Sequence, residues 1–388
     1  MSTVLTTRSR WMRIRHHLAE AGEPAFRFRQ LVTAWRSSTA ESFADVHALP
    51  ARLRGDLAER FGPRLHPLTP LEVQRDEQVE KVLFGSESGT RIETVVSHYR
   101  AGWDSMCISS QAGCGLGCTF CATGAIGLIR NLTADEIVAQ VMHPHWTRAG
   151  LPRPASVAFM GMGDALANPH VFDALTLLTD PAYAGLSARR ITVSTVGFAP
   201  NLERLVDEHP QVTVTLSVHS PFPDERARII PIEERYPLAQ NLEILDRQVA
   251  VSRRKVYLAY LLIAGVNDGA EHLAALTALV HRRSRPELFH VSVIRYNEAA
   301  GAAPEYRAPS SARTDEFVHG LTARGVHATR RRQFGTAIDA ACGQLHARYL
   351  ATHLPGVAPV EFAHLHPFAP AEQTTGYEKP IPVTPTGG

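Results

Sequence analysis

Three of the five cysteines in this chain lie on one short loop, Cys114-Gly-Leu-Gly-Cys118-Thr-Phe-Cys121, with the spacing CxxxCxxC. A thiolate is a soft anionic ligand suited to iron–sulfur clusters and to zinc. Three of them on a glycine-bearing loop can each hold one iron of a [4Fe-4S] cube, which leaves the fourth iron open to a ligand from outside the protein. A structural cluster would ordinarily supply a fourth cysteine, and a zinc site would pair CxxC motifs or add histidines at fixed spacing. His143 and His145 are the nearest histidines to offer, but two histidines flanking a proline at a helix end more often lie on the surface than on zinc. The other two cysteines, Cys107 and Cys342, stand far apart in sequence. Taken alone, such residues are most often small buried hydrophobes.

These residues fall at particular places in the pattern of apolar residues. Apolar runs at Met106–Ser109, Ser156–Met160, Ile191–Thr195, Val212–Val218, Val256–Ile263 and Phe289–Arg295 read as strands. Helical periodicity lies between them, as in Thr133–Met142, Val171–Leu178, Leu238–Val249 and Ala270–His281. Six β-then-α units predict a parallel sheet, either doubly wound or an incomplete barrel, with the active site at the C-terminal ends of the strands. The cysteine loop directly follows the first of these strands, and the turn Gly161-Met-Gly-Asp164 follows the second. Ahead of them, Phe28, Leu31, Val32 and Trp35, then Val46, Leu49, Leu53 and Leu57, recur at helical spacing and predict a helical N-terminal unit over 1–75. Val82-Leu-Phe84 and Ile92–Val96 predict a short β connector over 76–100. The barrel-like domain is expected over 101–353, and a Pro-, Thr- and Gly-rich tail over 354–388.

With 388 residues and 44% hydrophobic content the chain can bury a large core. It has no apolar run of about 18 residues and no apolar segment behind its N-terminal arginines, so neither a membrane span nor a signal peptide is expected. A cytoplasmic protein follows, and cytosolic thiols stay reduced unless they do chemistry, which argues against a disulfide framework. The net charge is only +2, yet over residues 1–66 Arg outnumbers Asp plus Glu eleven to six, an asymmetry suited to a phosphate backbone. Arg330-Arg-Arg332 and Arg253-Arg-Lys255 are further basic runs expected to border the mouth of the site.

The segments Ala101-Gly-Trp-Asp-Ser-Met-Cys-Ile-Ser-Ser-Gln-Ala-Gly-Cys114 and Phe120-Cys-Ala-Thr-Gly-Ala-Ile-Gly127 closely resemble the RlmN/Cfr family of radical-SAM RNA adenine methyltransferases. So do Arg91-Ile-Glu-Thr-Val95, Gly161-Met-Gly-Asp-Ala-Leu-Ala-Asn168, Ser194-Thr-Val-Gly197, Ser217-Val-His-Ser220, Gly265-Val-Asn-Asp268, Ile294-Arg-Tyr-Asn297 and Gln333-Phe-Gly-Thr-Ala-Ile-Asp-Ala-Ala-Cys342-Gly-Gln-Leu345. The likeness runs over roughly residues 20–350 and is stronger to the Cfr branch, which methylates C8, than to the housekeeping branch, which methylates C2.

The resemblance implies a partial (β/α)6 barrel of radical-SAM type, an α/β fold with a helical accessory domain that binds RNA. It implies that Cys114, Cys118 and Cys121 hold the cluster, that Cys342 carries the methyl group as S-methylcysteine, that Cys107 resolves it through a disulfide, and that Glu93 accepts the ring proton. Gly163, Asp164, Ser194, Ser217, Val218, His219 and Asn297 match positions that bind S-adenosylmethionine, two molecules of which are used per turnover. The implied substrate is 23S rRNA, or tRNA as well, methylated at C8 or alternatively at C2. The implied electron donor is a flavodoxin or ferredoxin, and the implied state is a monomer free of membrane. A small-molecule or peptide substrate on the same fold and a non-catalytic RNA-binding protein with a structural cluster are the competing readings. The three-cysteine site and the Cys107/Cys342 pair weigh against the latter. Asp164 departs from the family's usual Glu by one methylene, and Ala337 replaces its usual acidic residue.

Overall fold

The computed structural model describes residues 9–36, 40–143, 145–146, 154–299, 301–332, 335, 338–341 and 343–345. Methyl-carrier candidate Cys342, Ala337 and the tail after 345 lie outside the described residues. A ten-stranded sheet runs in the order β1-β2-β3-β4-β7-β8-β9-β10-β11-β12. The apolar runs of the sequence become the parallel strands β4 (Trp103–Ile108), β7 (Ser156–Phe159), β8 (Ile191–Thr195), β9 (Thr213–Ser217), β10 (Val256–Leu262) and β11 (Phe289–Arg295). A short β12 (Ala328–Arg330) adds parallel to β11. Near-continuous burial along β10 and β9 fits strands covered on both faces.

The expected β connector is larger than its sequence suggests. Strands β1 (Leu68–Asp76), β2 (Val79–Ser86) and β3 (Arg91–Tyr99) form an antiparallel meander that joins the main sheet through β3 and β4. Strand β1 therefore begins inside the span that helical periodicity assigned to the N-terminal unit. A separate two-stranded ribbon, β5 (Gln111–Gly113) with β6 (Leu128–Asn131), brackets the cysteine loop.

The N-terminal unit consists of helices Arg10–Glu20, Ala25–Trp35 and Ala51–Phe61, packed around Trp11, whose ring stacks on Trp35 at 4.1 Å. Its first helix is capped from outside. The Asp135 carboxylate, in the first turn of helix Ala134–Met142, accepts from the amides of Arg10 (2.7 Å) and Trp11 (3.0 Å) and from the Ser9 hydroxyl (3.0 Å). An anion at the positive end of a helix satisfies amides that have no partner within that helix. Phe28 packs edge-on against Tyr183, making a second contact with the barrel domain. Among the described residues no helix is long and apolar enough to cross a membrane.

Replacing Asp135 with Ala strands three buried or half-buried donors. We expect Asp135→Ala to lower unfolding stability by about 1–3 kcal/mol in denaturant titrations. Amide exchange should rise first in helix Arg10–Glu20.

Candidate active site

The cysteine loop is shaped by one glycine and a few backbone bonds. Gly113, at φ +73°, sits so close to Gly127 that a Cβ there would lie 2.0 Å from the Gly127 carbonyl oxygen. The Cys114 amide donates to that same oxygen at 2.9 Å, and the Thr119 amide donates to Ile229 O at 3.1 Å. Cys114 and Cys118 are buried against Ile229, Ile230 and Ile232, with Cys121 at the border of this cluster. Burial pushes the Cys114 thiol up to about 12 and the Cys118 thiol well above its usual value. Such a site disfavours bare thiolates, whereas bound cationic iron reverses that preference.

All three cysteines line one cavity of about 150 Å³ at the C-terminal ends of the parallel strands. Among the described residues no three His, Cys, Asp or Glu side chains form a group able to hold a single metal ion. Three cysteines lining one cavity suit a cluster, in which each thiolate meets a different iron. His143 and His145 are engaged elsewhere. The His143 ring accepts from the His145 amide and meets Leu68 O, while His145 pairs with Glu80 at 2.7 Å.

Opposite the cysteines, Gly163, Asp164, Ser194, Ser217, His219 and Asn297 line the same cavity. Val218 does not line it: its side chain is buried, its amide donates to Ala259 O, and its carbonyl accepts from Arg226. His219, at φ +60°, accepts the Leu261 amide on Nδ1 at 3.0 Å, which makes Nε2 the protonated nitrogen of a neutral ring. Burial, with the nearby Arg226 cation, lowers its pKa to about 3, so it stays uncharged at working pH. The Asp164 carboxylate is taken up by the protein itself. One oxygen accepts from the Leu166 amide and the Thr195 hydroxyl, and the other accepts from the Val196 amide at 2.7 Å. The shortened acid thus fastens the turn after β7 to the turn after β8.

Sequence reasoning missed four residues that hold this rim in shape. Arg226 is fully buried and donates to the carbonyls of Val196 (2.6 Å), Ser217 (2.8 Å) and Val218 (3.0 Å), and it pairs with Glu233. Glu233 in turn accepts from the Leu238 amide, which starts helix Leu238–Ser252. Asn267 donates to His219 O and Leu261 O, both at 2.6 Å, and Asn168 donates to Ser110 O and Leu132 O. Both asparagines belong to quoted motifs. Arg226 carries no such flag, since it sits in the charged run Asp224-Glu-Arg-Ala-Arg228.

A second, smaller cavity of about 80 Å³ adjoins the first, and the two share Met160, Ile294, Asn297, Arg331 and Leu345 as walls. Cys107 lines it opposite Ala340 and Ala341, the residues just before Cys342. On the far side of Cys342, Gly343 O accepts the Ala122 amide at 3.0 Å, next to Cys121. Glu93 is buried and pairs with Lys81 Nζ at 3.1 Å, and Lys81 also donates to Asp339 O. The second Glu93 oxygen, Oε2, has no hydrogen-bond partner among the described residues. Burial pushes the Glu93 carboxyl above its ordinary range, against the opposing pull of Lys81.

The basic runs separate. Arg331 and Arg332 line the Cys107 cavity, whereas Arg330 turns to Asp315. Arg253–Lys255 do not border the mouth. They precede Val256 at the N-terminal end of β10, and a parallel strand of that length carries them roughly 20 Å from the site end.

Residues 108–277 match the Radical SAM superfamily. The chain is 43% identical over 343 residues to the "Ribosomal RNA large subunit methyltransferase Cfr" of Staphylococcus warneri, covering 88% of this chain and 97% of that protein. It is 42% identical over 348 residues to the protein of the same name from Shouchella clausii, covering 90% and 99%. Among solved structures, a radical SAM methyltransferase from Sphaerobacter thermophilus superposes with a TM-score of 0.79 at 36% identity, covering 87% of this chain and 98% of that one.

Arg226→Met leaves Glu233 buried without its cation. We expect a loss of about 3–5 kcal/mol in denaturant unfolding. Adding Glu233→Leu should recover only part of it, because the carbonyls of Val196, Ser217 and Val218 stay without their donor.

Proposed function

This chain belongs to the RlmN/Cfr family of radical-SAM methyltransferases, on its Cfr branch, and from that premise we propose that it methylates adenine C8 at an adenosine of the peptidyl transferase centre in 23S rRNA. What supports the reading most is the pair of adjoining cavities. One is lined by Cys114, Cys118 and Cys121, and the other by Cys107 and the two residues that precede Cys342.

The cysteines of the first cavity fit a [4Fe-4S] cluster by their number, their shared cavity and their apolar surroundings. When bound, the cluster and S-adenosylmethionine supply a 5′-deoxyadenosyl radical. Gly163, Ser194, Ser217, His219 and Asn297 are the residues that would seat that cofactor, with neutral His219 offering a hydrogen bond and no charge. Cys342, which lies outside the described residues, takes a methyl group from a first S-adenosylmethionine as a thiolate nucleophile. The radical supplied by a second would take a hydrogen atom from that S-methyl group, whose carbon would then join the adenine ring.

Glu93 removes the ring proton as the radical adduct gives its unpaired electron back to the redox chain that serves the cluster, which leaves a closed-shell thioether joining base and protein. A base buried beside a single lysine, with one oxygen unpartnered, has both the acceptor site and the raised affinity for a proton that the step needs. Cys107 then attacks the Cys342 sulfur. A disulfide forms, and the carbon–sulfur electron pair leaves with the methylated base, which picks up a proton. An external reductant returns the disulfide to thiols, and a flavodoxin or ferredoxin supplies the cluster's electron. The adenine must leave its stack to enter, which favours single-stranded RNA.

Anaerobic reconstitution with S-adenosylmethionine, reductant and a 23S rRNA fragment, followed by nucleoside chromatography with mass spectrometry, tests the assignment. 8-Methyladenosine is expected; 2-methyladenosine moves the chemistry to C2, and cleavage of S-adenosylmethionine without methylated adenosine removes the RNA substrate. Cys342→Ala should abolish transfer, while Cys107→Ala should accumulate protein crosslinked to RNA. The pH profile of methyl transfer should lose rate toward acid with a midpoint above the ordinary Glu value of about 4.3, because the carboxylate must be free to act. Glu93→Gln should remove the reaction across the whole range.

A further inference from the structure

The face of the sheet that carries Cys107 extends outward to an exposed aromatic pair. Side chains alternate along a strand, so Glu93, Val95, Ser97 and Tyr99 of β3 share a face, as do Trp103, Ser105 and Cys107 of β4. The register pairs Val95 with Cys107 and Tyr99 with Trp103, which makes one continuous track from the cavity to the hairpin tip. Val95, Ser97 and Tyr99 all line the Cys107 cavity. At the tip, the Tyr99 and Trp103 rings stack at 3.8 Å and 10° from parallel, yet Trp103 remains 41% exposed. Counting four residues of rise along β4, Trp103 stands about 13 Å from Cys107.

We propose that Trp103, held flat by Tyr99, is a stacking platform for an unpaired nucleobase of the RNA substrate, one that flanks the adenine being methylated. The inference rests on the RNA reading given above. An exposed indole with its orientation fixed loses little freedom when a base settles on it, and every base offers a π-face to such a ring. Cations stand where the backbone must run: Arg331 and Arg332 in the cavity wall, and Arg100 exposed in the turn between Tyr99 and Trp103. Flipping the target adenine strips its neighbour of a stacking partner, and the platform replaces that partner. Phe26, Leu71, Leu128, Ile129 and Val251 are also exposed, but none is paired with a residue that lines the Cys107 cavity, as Trp103 is with Tyr99.

The test is equilibrium binding of the 23S rRNA fragment to the reconstituted protein with S-adenosylmethionine, comparing Trp103→Phe, Trp103→Leu and Trp103→Ala with the unsubstituted chain. Stacking predicts that Phe binds within a few-fold, that Leu and Ala each lose about tenfold or more, and that RNA quenches a tryptophan emission absent from Trp103→Phe. Thermal unfolding of each variant excludes loss of the fold as the cause. Leu binding as well as Phe would mean a plain hydrophobic contact, and Ala binding as well as the unsubstituted chain would mean no contact; either overturns the platform alone. If the unsubstituted protein binds no RNA, the substrate assignment fails and this inference with it.

Discussion

A guanidinium without access to water holds the rim of this sheet. Arg226 bridges the carbonyls that end β8 and β9 and binds Glu233, whose carboxylate also begins the helix Leu238–Ser252. Neighbouring parallel strands hydrogen-bond along their lengths, but beyond their last ladder bond each turns away and its carbonyls lose their partners. One planar donor with several N–H groups answers several of those carbonyls at once, which a lysine's compact ammonium does less well. The wall that carries Ser194, Ser217 and His219 therefore owes its shape to a residue that does not line the cavity.

Around this rim the site is kept apolar, and that sets the character of its ionisable groups. The thiols of Cys114 and Cys118 are pushed toward their protonated forms, His219 toward its neutral form, and Glu93 and Asp164 toward the acid. Desolvation is the leading cause each time. Only compensating partners keep charge here: Lys81 beside Glu93, and the amides of Leu166 and Val196 with the Thr195 hydroxyl around Asp164. The proposed iron cluster would do the same for the cysteines. Low polarity would thus couple assembly to function, since the cysteine loop is costly to ionise without a bound cation.

Much of this was legible in the chain. The parallel strands announced themselves because both faces are covered, which leaves unbroken apolar runs such as Val256–Ile263. The cysteine loop was legible because residue type and spacing together carry the chemistry. Strand β1 was hidden: five of its nine residues are polar, and Leu68 alone is buried. Strand β12 is too short to leave a pattern. Arg226 was invisible because a lone arginine among acids reads as a solvated face, and only the fold reveals that it points inward. Arg253–Lys255 misled in the opposite sense: charge is plain in a sequence, but the end of a strand on which it falls is not.

The carboxylate of Asp135 binds the start of the first helix while standing only a few residues beyond β6, the strand that closes the cysteine loop. The N-terminal helices are therefore not a bead on a string. Beside the Phe28–Tyr183 contact, that carboxylate ties them to the segment following the ribbon Gln111–Gly113 with Leu128–Asn131, which bounds both ends of the loop bearing Cys114, Cys118 and Cys121. Whatever those helices grip, they hold it one carboxylate away from the loop proposed to bind iron.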